Sequence, residues 1–535
     1  MPKQLLPYHK TGYFSKLICD YLSEVKATVP FYHRFPSLAN FKAQLTEKRG
    51  TFSDESRNTL VNRLKHQYKD FSISEATRQN IDSLSKANTF TITTGHQLNL
   101  FTGPLYFLYK ILSVINLCEQ LRTANPKHHF VPVYWMATED HDFEEINYFN
   151  LHGKKVVWER NSDGAVGEMS TESLNGILKV LRKELGDSAN AKKLISLFSK
   201  AYVDHQNLAD ATRYLGNELF KDHGLVIIDG NDTELKRALI PYAEIELTEN
   251  KSFENITKTT KRLVAAGYVE QVHPREINLF YLTEGSRDRI VEKDNDFYID
   301  GSDLVFTADE IKNELHNHPE RFSPNALLRP LYQEVILPNV CYVGGGGELA
   351  YWFQLKDYFE SVKIPFPILL LRNSVLLMPT KYSKKLKKLE VDISRLFQKR
   401  HQLQTEYTGQ LSEIDIDLKS QREHLQQQFK DLYELAKKTD ASFVGAVAAQ
   451  EKKQLNGLDR LEKRLLKAQK RKLADRLARL TTIQDKLFPN QHLQEREMNF
   501  SEFYLEYGEG LLSVLKSQLD PLANEFTIIE IQNDV

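Results

Sequence analysis

The chain has 535 residues, 41% of them hydrophobic and 27% charged, with a formal net charge of −1. That is ample material for folded cores, and roughly two to four domains on a length prior. A balance so close to neutral gives no overall pull toward nucleic acid or an anionic membrane, and partners of either kind are not expected.

Three widely spaced cysteines, Cys19, Cys118 and Cys341, argue against a disulfide scaffold or a cysteine-rich zinc site. The opening "MPKQLLPYHK" has no apolar stretch of the signal-peptide kind, and the longest apolar run, "FPILLL", is too short to cross a bilayer. The expected location is the cytoplasm.

Residues 1–85 carry apolar positions at helical spacing, as in "RNTLVNRLKHQY", and read as a helical segment packing on a core. The core spans 86–380. "TFTITTG" (89–95) is a β-branched strand stopped by glycine, and a long apolar helix follows from about Gly103 to Leu121. "FVPVYWMA" (130–137), "GLVIIDG" (224–230) and "PFPILLLR" (365–372) are further strands. Strands alternating with helices predict an α/β fold with a parallel, doubly wound sheet, and the stretches at about 150–220 and 250–325 read as insertions.

Residues 381–488 nearly lack glycine and proline. Leu386, Leu389, Ile393, Leu396, Leu403, Tyr407, Leu411, Ile414 and Leu418 form one apolar stripe, and Leu455 to Leu480 form a second. Two long helices joined by a short turn, an antiparallel coiled coil, follow from that pattern. From 381 to 487 there are 25 Lys and Arg against 15 Asp and Glu, without the interleaved aromatics of a nucleic-acid surface. Residues 489–535 return to the core and end in a strand, "NEFTIIEI".

Three stretches could carry chemistry. In "TTGHQLNLFTGPLYFLYK" (93–110), Gly95 ends a strand at the carboxyl edge of the sheet, where open α/β sheets bind ligands. Thr102 reads as an N-cap, with Gly103 and Pro104 opening a helix whose free N–H groups suit a phosphate or carboxylate. Tyr106 and Lys110 share a face, so Lys110 is expected to point at that anion. His96 could donate to developing negative charge. The competing reading is a capped helix with a buried histidine bonded to backbone.

In "WMATEDHDFEEIN" (135–147), Trp135 ends a strand and Glu139, Asp140, His141 and Asp142 follow in succession. Such a run could hold an amine, a sugar hydroxyl or a metal, or do acid–base work; a structural salt-bridged loop is the alternative. No HExxH pattern supports a metal.

In "LLRPLYQEVILPNVCYVGGGGELAYWFQL" (327–355), Gly344 and Gly345 belong to a run permitting close backbone approach. Glu348 suits an amine, Tyr351 and Trp352 offer flat surfaces, and Arg329 and Gln333 lie on one helical face. Arg372 ends a strand and could reach the same edge. "HPREINLFYL" (273–282) is a further polar piece.

Together "TGHQLNLFTGPLYFLYK", "PVYWMATEDHDFEEIN", "RPLYQEVILPNVCYVGGGGELAYW" and "LFPNQHLQER", in that order, closely resemble the characteristic segments of the BshC family, cysteine ligases of bacillithiol synthesis. The resemblance implies a Rossmann-like core related to class I aminoacyl-tRNA synthetases, with connecting insertions. It implies amide formation between cysteine and glucosaminyl-malate, with ATP activating the cysteine carboxylate as an adenylate and Mg2+ only as the companion of ATP. It implies a homodimer through the coiled coil.

On that reading His141 is the proton acceptor, with Asp140 and His96 beside it in the catalytic set. Glu139, Asp140 and Asp142 hold an amine. The helix starts at Gly103 and near Gly347, helped by Lys110 and Arg372, hold phosphate or malate carboxylates. Trp135, Tyr106 and Tyr351 shape the pocket. The rival expectation is a non-catalytic scaffold whose degenerate core only recruits the true ligase.

Overall fold

The computed structural model describes residues 3–160 and 164–532. The chain divides into two compact units, Met1–Leu377 with Gln494–Val535, and Met378–Leu493.

The larger unit is built on a five-stranded sheet. Its strands are β1 (Thr89–His96), β2 (His129–Met136), β3 (Val226–Asp229), β4 (Asn339–Gly344) and β5 (Ile368–Leu371). They lie in the order β3-β2-β1-β4-β5, and every neighbouring pair is parallel. A parallel sheet is covered on both faces, so its strands read as continuous apolar or β-branched runs rather than alternating ones. The few polar groups are satisfied internally: Asn339 Oδ1 accepts from both Thr91 and Thr93 hydroxyls, at 3.2 and 2.9 Å. Helix α1 (Tyr106–Ala124) crosses from β1 to β2 and is buried at every position from Phe107 to Cys118, as an all-round apolar helix must be. Strand order reverses between β1 and β4, which places a crevice outside their carboxyl ends.

Around this core, residues 3–85 contribute one edge strand, Lys3–Pro7, antiparallel to Glu525–Ile531, and then helices. The second insertion carries an antiparallel sheet that includes the hairpin Leu279–Thr283 and Ser286–Lys293.

The smaller unit holds the antiparallel pair Lys419–Ala436 and Ala441–Lys472, packed through Leu425, Phe429, Tyr433, Ala436, Val444 and Val447. Asp440 caps the second helix by accepting from the Ser442 and Phe443 amides. The first arm departs from the expected continuous helix. Arg400–Leu411 stops, and residues 412–418 are not helical. There Ser412 bonds the carbonyl and amide of Ile414, and Asp417 takes the Lys419 amide. Short polar side chains thus offer the backbone local partners that compete with a helix, even while the leucine spacing runs on.

Candidate functional site

The crevice at the carboxyl ends of β1 and β4 is a cavity of about 300 Å3. It draws Gly95 and His96 from β1, Trp135 from β2, Gly345 from beyond β4 and Arg372 from beyond β5. Helix α2 (Arg329–Ile336) supplies Arg329 and Gln333, and helix α3 (Gly346–Gln354) supplies Glu348, Tyr351 and Trp352. Tyr106 and Lys110 reach it from α1.

The turn after β1 is more strained than a simple helix start. Phe101, Thr102 and Gly103 all have positive φ, at 49°, 68° and 62°. Such residues persist only where the surroundings over-determine them. Asn499 does so here, donating to the carbonyls of Phe101 and Gly103 at 2.8 and 2.6 Å, while Tyr202 holds the Phe101 amide. Thr102 is therefore not the expected N-cap. The amide of Leu105, at the helix start, already donates to the Met498 carbonyl at 2.7 Å. Gly103 lies in a neighbouring cavity rather than the cleft, and the anion site expected at this first turn is not formed there.

Lys110 is likewise committed. Its Nζ donates to the Gly95 carbonyl at 2.7 Å and to Glu348 Oε1 at 2.8 Å, with the side chain buried. His96 is buried with Nε2 3.3 Å from the Thr102 carbonyl, and Tyr106 and Phe107 press on its ring. Since a carbonyl only accepts, Nε2 carries the proton. Burial first, then the Lys110 ammonium, hold the imidazole well below its usual range. It stands in the cleft as a neutral group, already bonded to backbone.

The acidic run disperses instead of converging. Glu139 turns inward to Lys236, 2.6 Å away and fully buried. Asp140 accepts from Gln97 at 3.2 Å and from the His141 amide at 2.8 Å. Burial raises the Asp140 carboxyl, but Arg329, the Gln97 bond and Arg287 outweigh it and leave it below the usual carboxylate range. His141 Nδ1 faces Arg287 Nη1 at 3.0 Å. A guanidinium can only donate, so the basic nitrogen of His141 is occupied, contrary to its expected role as proton acceptor. Asp142 caps a short helix by accepting from the Glu145 amide. None of these four residues lines the cleft; Asp140 and His141 line a second cavity beside it.

The glycine run closes on itself. Glu348 Oε2 accepts from the Gly345 amide at 2.6 Å, and Oε1 takes Lys110 and the Tyr342 hydroxyl. The α3 start thus meets a carboxylate of the chain, and Glu348 is not a vacant amine acceptor. Gly344 belongs to β4, where a Cβ would stand 2.9 Å from the Tyr342 ring. Gly347 lines the cleft, with open space where a side chain would be. Tyr342 stacks on Trp352 with ring centroids 4.6 Å apart, forming one wall.

Arg372 pairs with Glu495 at 2.7 Å, both buried, and its guanidinium lies over the Tyr106 ring. Four cations therefore line the cleft, Lys110, Arg329, Arg372 and Arg496, and carboxylates neutralise two of them. Arg329 and Arg496 make no ion pair among the described residues. Burial disfavours the charge of Arg329, yet Tyr351, Asp140, Tyr342 and Glu139 together more than offset it, so the group stays cationic. Glu145 is the complementary feature: it lines the cleft, accepts from Gln97 at 2.8 Å on Oε2, and has no cation partner among the described residues.

Gln97, Glu145, Tyr342 and Arg496 also line the cleft; each stands inside one of the stretches quoted above, but nothing local in the sequence marks it as facing the cleft.

Comparison with known proteins adds a second line of evidence. The family model "Bacillithiol biosynthesis BshC, N-terminal Rossmann-like domain" matches residues 1–373, and "Bacillithiol biosynthesis BshC, C-terminal coiled-coil domain" matches 375–531. A protein of Christiangramia forsetii is 53% identical over 533 residues, covering 99% of both chains. One of Flavobacterium johnsoniae is 54% identical over 531 residues, covering 99% of this chain and all of the relative. One of Cytophaga hutchinsonii is 38% identical over 508 residues, covering 95% of each. All three are named "Putative cysteine ligase BshC". A solved structure from Campylobacter jejuni, described as an arginyl-tRNA synthetase, aligns over 86% of this chain and 98% of its own at 10% identity and a TM-score of 0.23, too slight a likeness to support any statement about this chain.

Proposed function

Since the chain belongs to the BshC family of bacillithiol biosynthesis, we propose that it is a cysteine ligase, joining the carboxylate of cysteine to the amine of glucosaminyl-malate at the crevice between β1 and β4. The observation that carries this reading is the pair of guanidiniums Arg329 and Arg496, set in one cleft with the carboxylate of Glu145, none of the three in an ion pair among the described residues. A ligase of this class must grip carboxylates and an amine together, and that donor set does both.

The two arginines bind substrate carboxylates, each able to offer two parallel N–H donors. Glu145, whose Oε2 is held by Gln97, leaves Oε1 to orient the amine and take its proton. Trp135, Tyr342 and Tyr351 wall the reacting atoms from bulk water. Lys110, Glu348 and Arg372 fix the strand ends and helix start that carry these groups. ATP would supply the activation of the carboxylate.

A scaffold role has no specific support, since a degenerate cleft has no need of unpaired arginines. We also place the protein in the cytoplasm as a homodimer paired through the helical unit. Its exposed Leu432, Leu435, Phe443 and Leu461 support the dimer, and the three free thiols suit a reducing compartment. Light scattering of the purified chain checks its oligomeric state.

The test of the activity is incubation of the purified protein with cysteine, glucosaminyl-malate and ATP, followed by mass spectrometry. The expected product is bacillithiol. Absence of that product, with bacillithiol intact after deletion of the gene, would overturn the reading.

A further inference from the structure

Beside the cleft lies a second cavity of about 460 Å3, and Arg329 lines both. It is framed by the hairpin Leu279–Thr283 and Ser286–Lys293 together with the stretch "HPREINLFYL" that leads into it. Arg287 and Arg289 stand two apart on one strand and so face the same side. Phe280 is the cross-strand partner of Arg289, and its ring lies 4.1 Å from the Arg287 guanidinium carbon. Arg287 is locked in place: Nε donates to Ser323 Oγ, Nη2 to the Pro324 carbonyl and Nη1 to His141 Nδ1, each at 3.0 Å. Arg275, Arg289 and Arg329 have no ion pair or side-chain hydrogen bond among the described residues. Among the described residues of the lining, Asp140 is the one carboxylate, against four arginines.

Like charges gathered this way repel one another, so the arrangement works against the fold unless an anion is to be bound. Arginine, with its rigid fork, is the residue suited to phosphate oxygens. A dicarboxylate would leave part of the row unmatched, whereas a chain of phosphates presents anionic oxygens along its length. Building on the ligase reading above, we propose that this groove binds the polyphosphate chain of a nucleotide, with Arg329 linking it to the cleft where the carboxylate is activated.

The test is calorimetric titration of the full-length protein with inorganic tripolyphosphate, ATP and L-malate, for the wild type, Arg289→Ala, Arg289→Lys and the Arg275→Ala/Arg289→Ala double variant. Neither Arg275 nor Arg289 strands a partner when removed, and Arg275→Ala alone serves if the double variant does not fold. The expected result is tripolyphosphate binding to the wild type, weakened about tenfold together with ATP in the double variant, with malate unmoved. Arg289→Lys should recover part of the loss. An unchanged polyphosphate affinity, a loss confined to malate, or no tripolyphosphate binding to the wild type would each overturn the groove. Arginine-dependent tripolyphosphate binding without bacillithiol formation would instead remove the ligase reading and leave the groove standing.

Discussion

Lys236 Nζ lies 2.6 Å from Glu139 Oε1, with the lysine side chain wholly buried and the glutamate nearly so. The first residue of the acidic run is therefore paired inside the protein, not offered to a ligand. Removing one partner of a buried pair leaves the other charge uncompensated, at a cost of about 3–5 kcal/mol. Glu139→Gln should lose stability on that scale in urea denaturation, with the Michaelis constants of the surviving enzyme little altered. A stable variant with weakened substrate binding would return Glu139 to the site.

Gly103 combines φ of +62° with a position where an added Cβ would stand 2.6 Å from Asn99 Cβ. Gly103→Ala meets both backbone strain and a clash, so a loss of about 1–3 kcal/mol is expected. Asn499→Ala should loosen the same turn, since its amide ties the Phe101 and Gly103 carbonyls. Thermal melts of the two variants check this; a melting temperature equal to the wild type's for both would show that the turn is not held as described.

His96 supplies a pH prediction. Its folded pKa lies well below 6.5, chiefly through burial and then through Lys110. The unfolded chain binds this proton below its ordinary value while the native state does not, so stability rises with pH in that range. The contribution is fully present above about pH 6.5 and fades as pH falls below it. His96→Gln removes the proton difference and keeps a donor for the Thr102 carbonyl. The variant should therefore lose less melting temperature than the wild type between about pH 7 and pH 5. It should also retain most of its activity, because the imidazole is already bonded to backbone. A variant more acid-sensitive than the wild type would contradict the assignment.

Arg372 and Glu495 form the buried pair that ties β5 to the returning C-terminal segment. Arg372 also donates to the Asn373 carbonyl and Ser374 Oγ, and Glu495 Oε2 takes the Val375 amide. Arg372→Lys keeps the charge but loses the fork, so it should cost about 2 kcal/mol or more of stability and slow catalysis only through misplacement of Tyr106. Denaturation and steady-state kinetics separate the two effects; full stability with a large rise in one Michaelis constant would make Arg372 a direct ligand.

Much of the sheet was legible because parallel strands buried on both faces leave uninterrupted β-branched or apolar runs, as in "TFTITTG" and "FVPVYWMA". Strand β4 was hidden: it follows Pro338 and runs straight into four glycines, whose turn signal dominates the stretch. Cleft residues on strand ends and helix faces, such as Gly95, Trp135, Arg329, Gln333 and Tyr351, were legible from topology, since the chain brings those ends to one edge.

What could not be read was the commitment of charges. Glu139, Asp140, His141 and Asp142 look alike in one dimension, and their separate fates are set by Lys236, Gln97 and Arg287 arriving from distant segments. Lys110 and Glu348 each suggested a ligand until the fold paired them. Arg496 sits in "HLQER", where nothing local says that the chain has come back to the cleft.

The most direct measurement is kcat/KM for bacillithiol formation by the wild type and by Arg329→Ala/Arg496→Ala, with melting temperatures taken alongside. Neither arginine has an ion-pair partner among the described residues, and Asp140, which faces Arg329, keeps its bonds from Gln97 and the His141 amide, so the melting temperature should change little, and loss of two charge-assisted contacts should lower kcat/KM about a hundredfold. Product formation at the wild-type rate in the double variant, or none from the wild type itself, would contradict the assignment of this cleft as the ligase site.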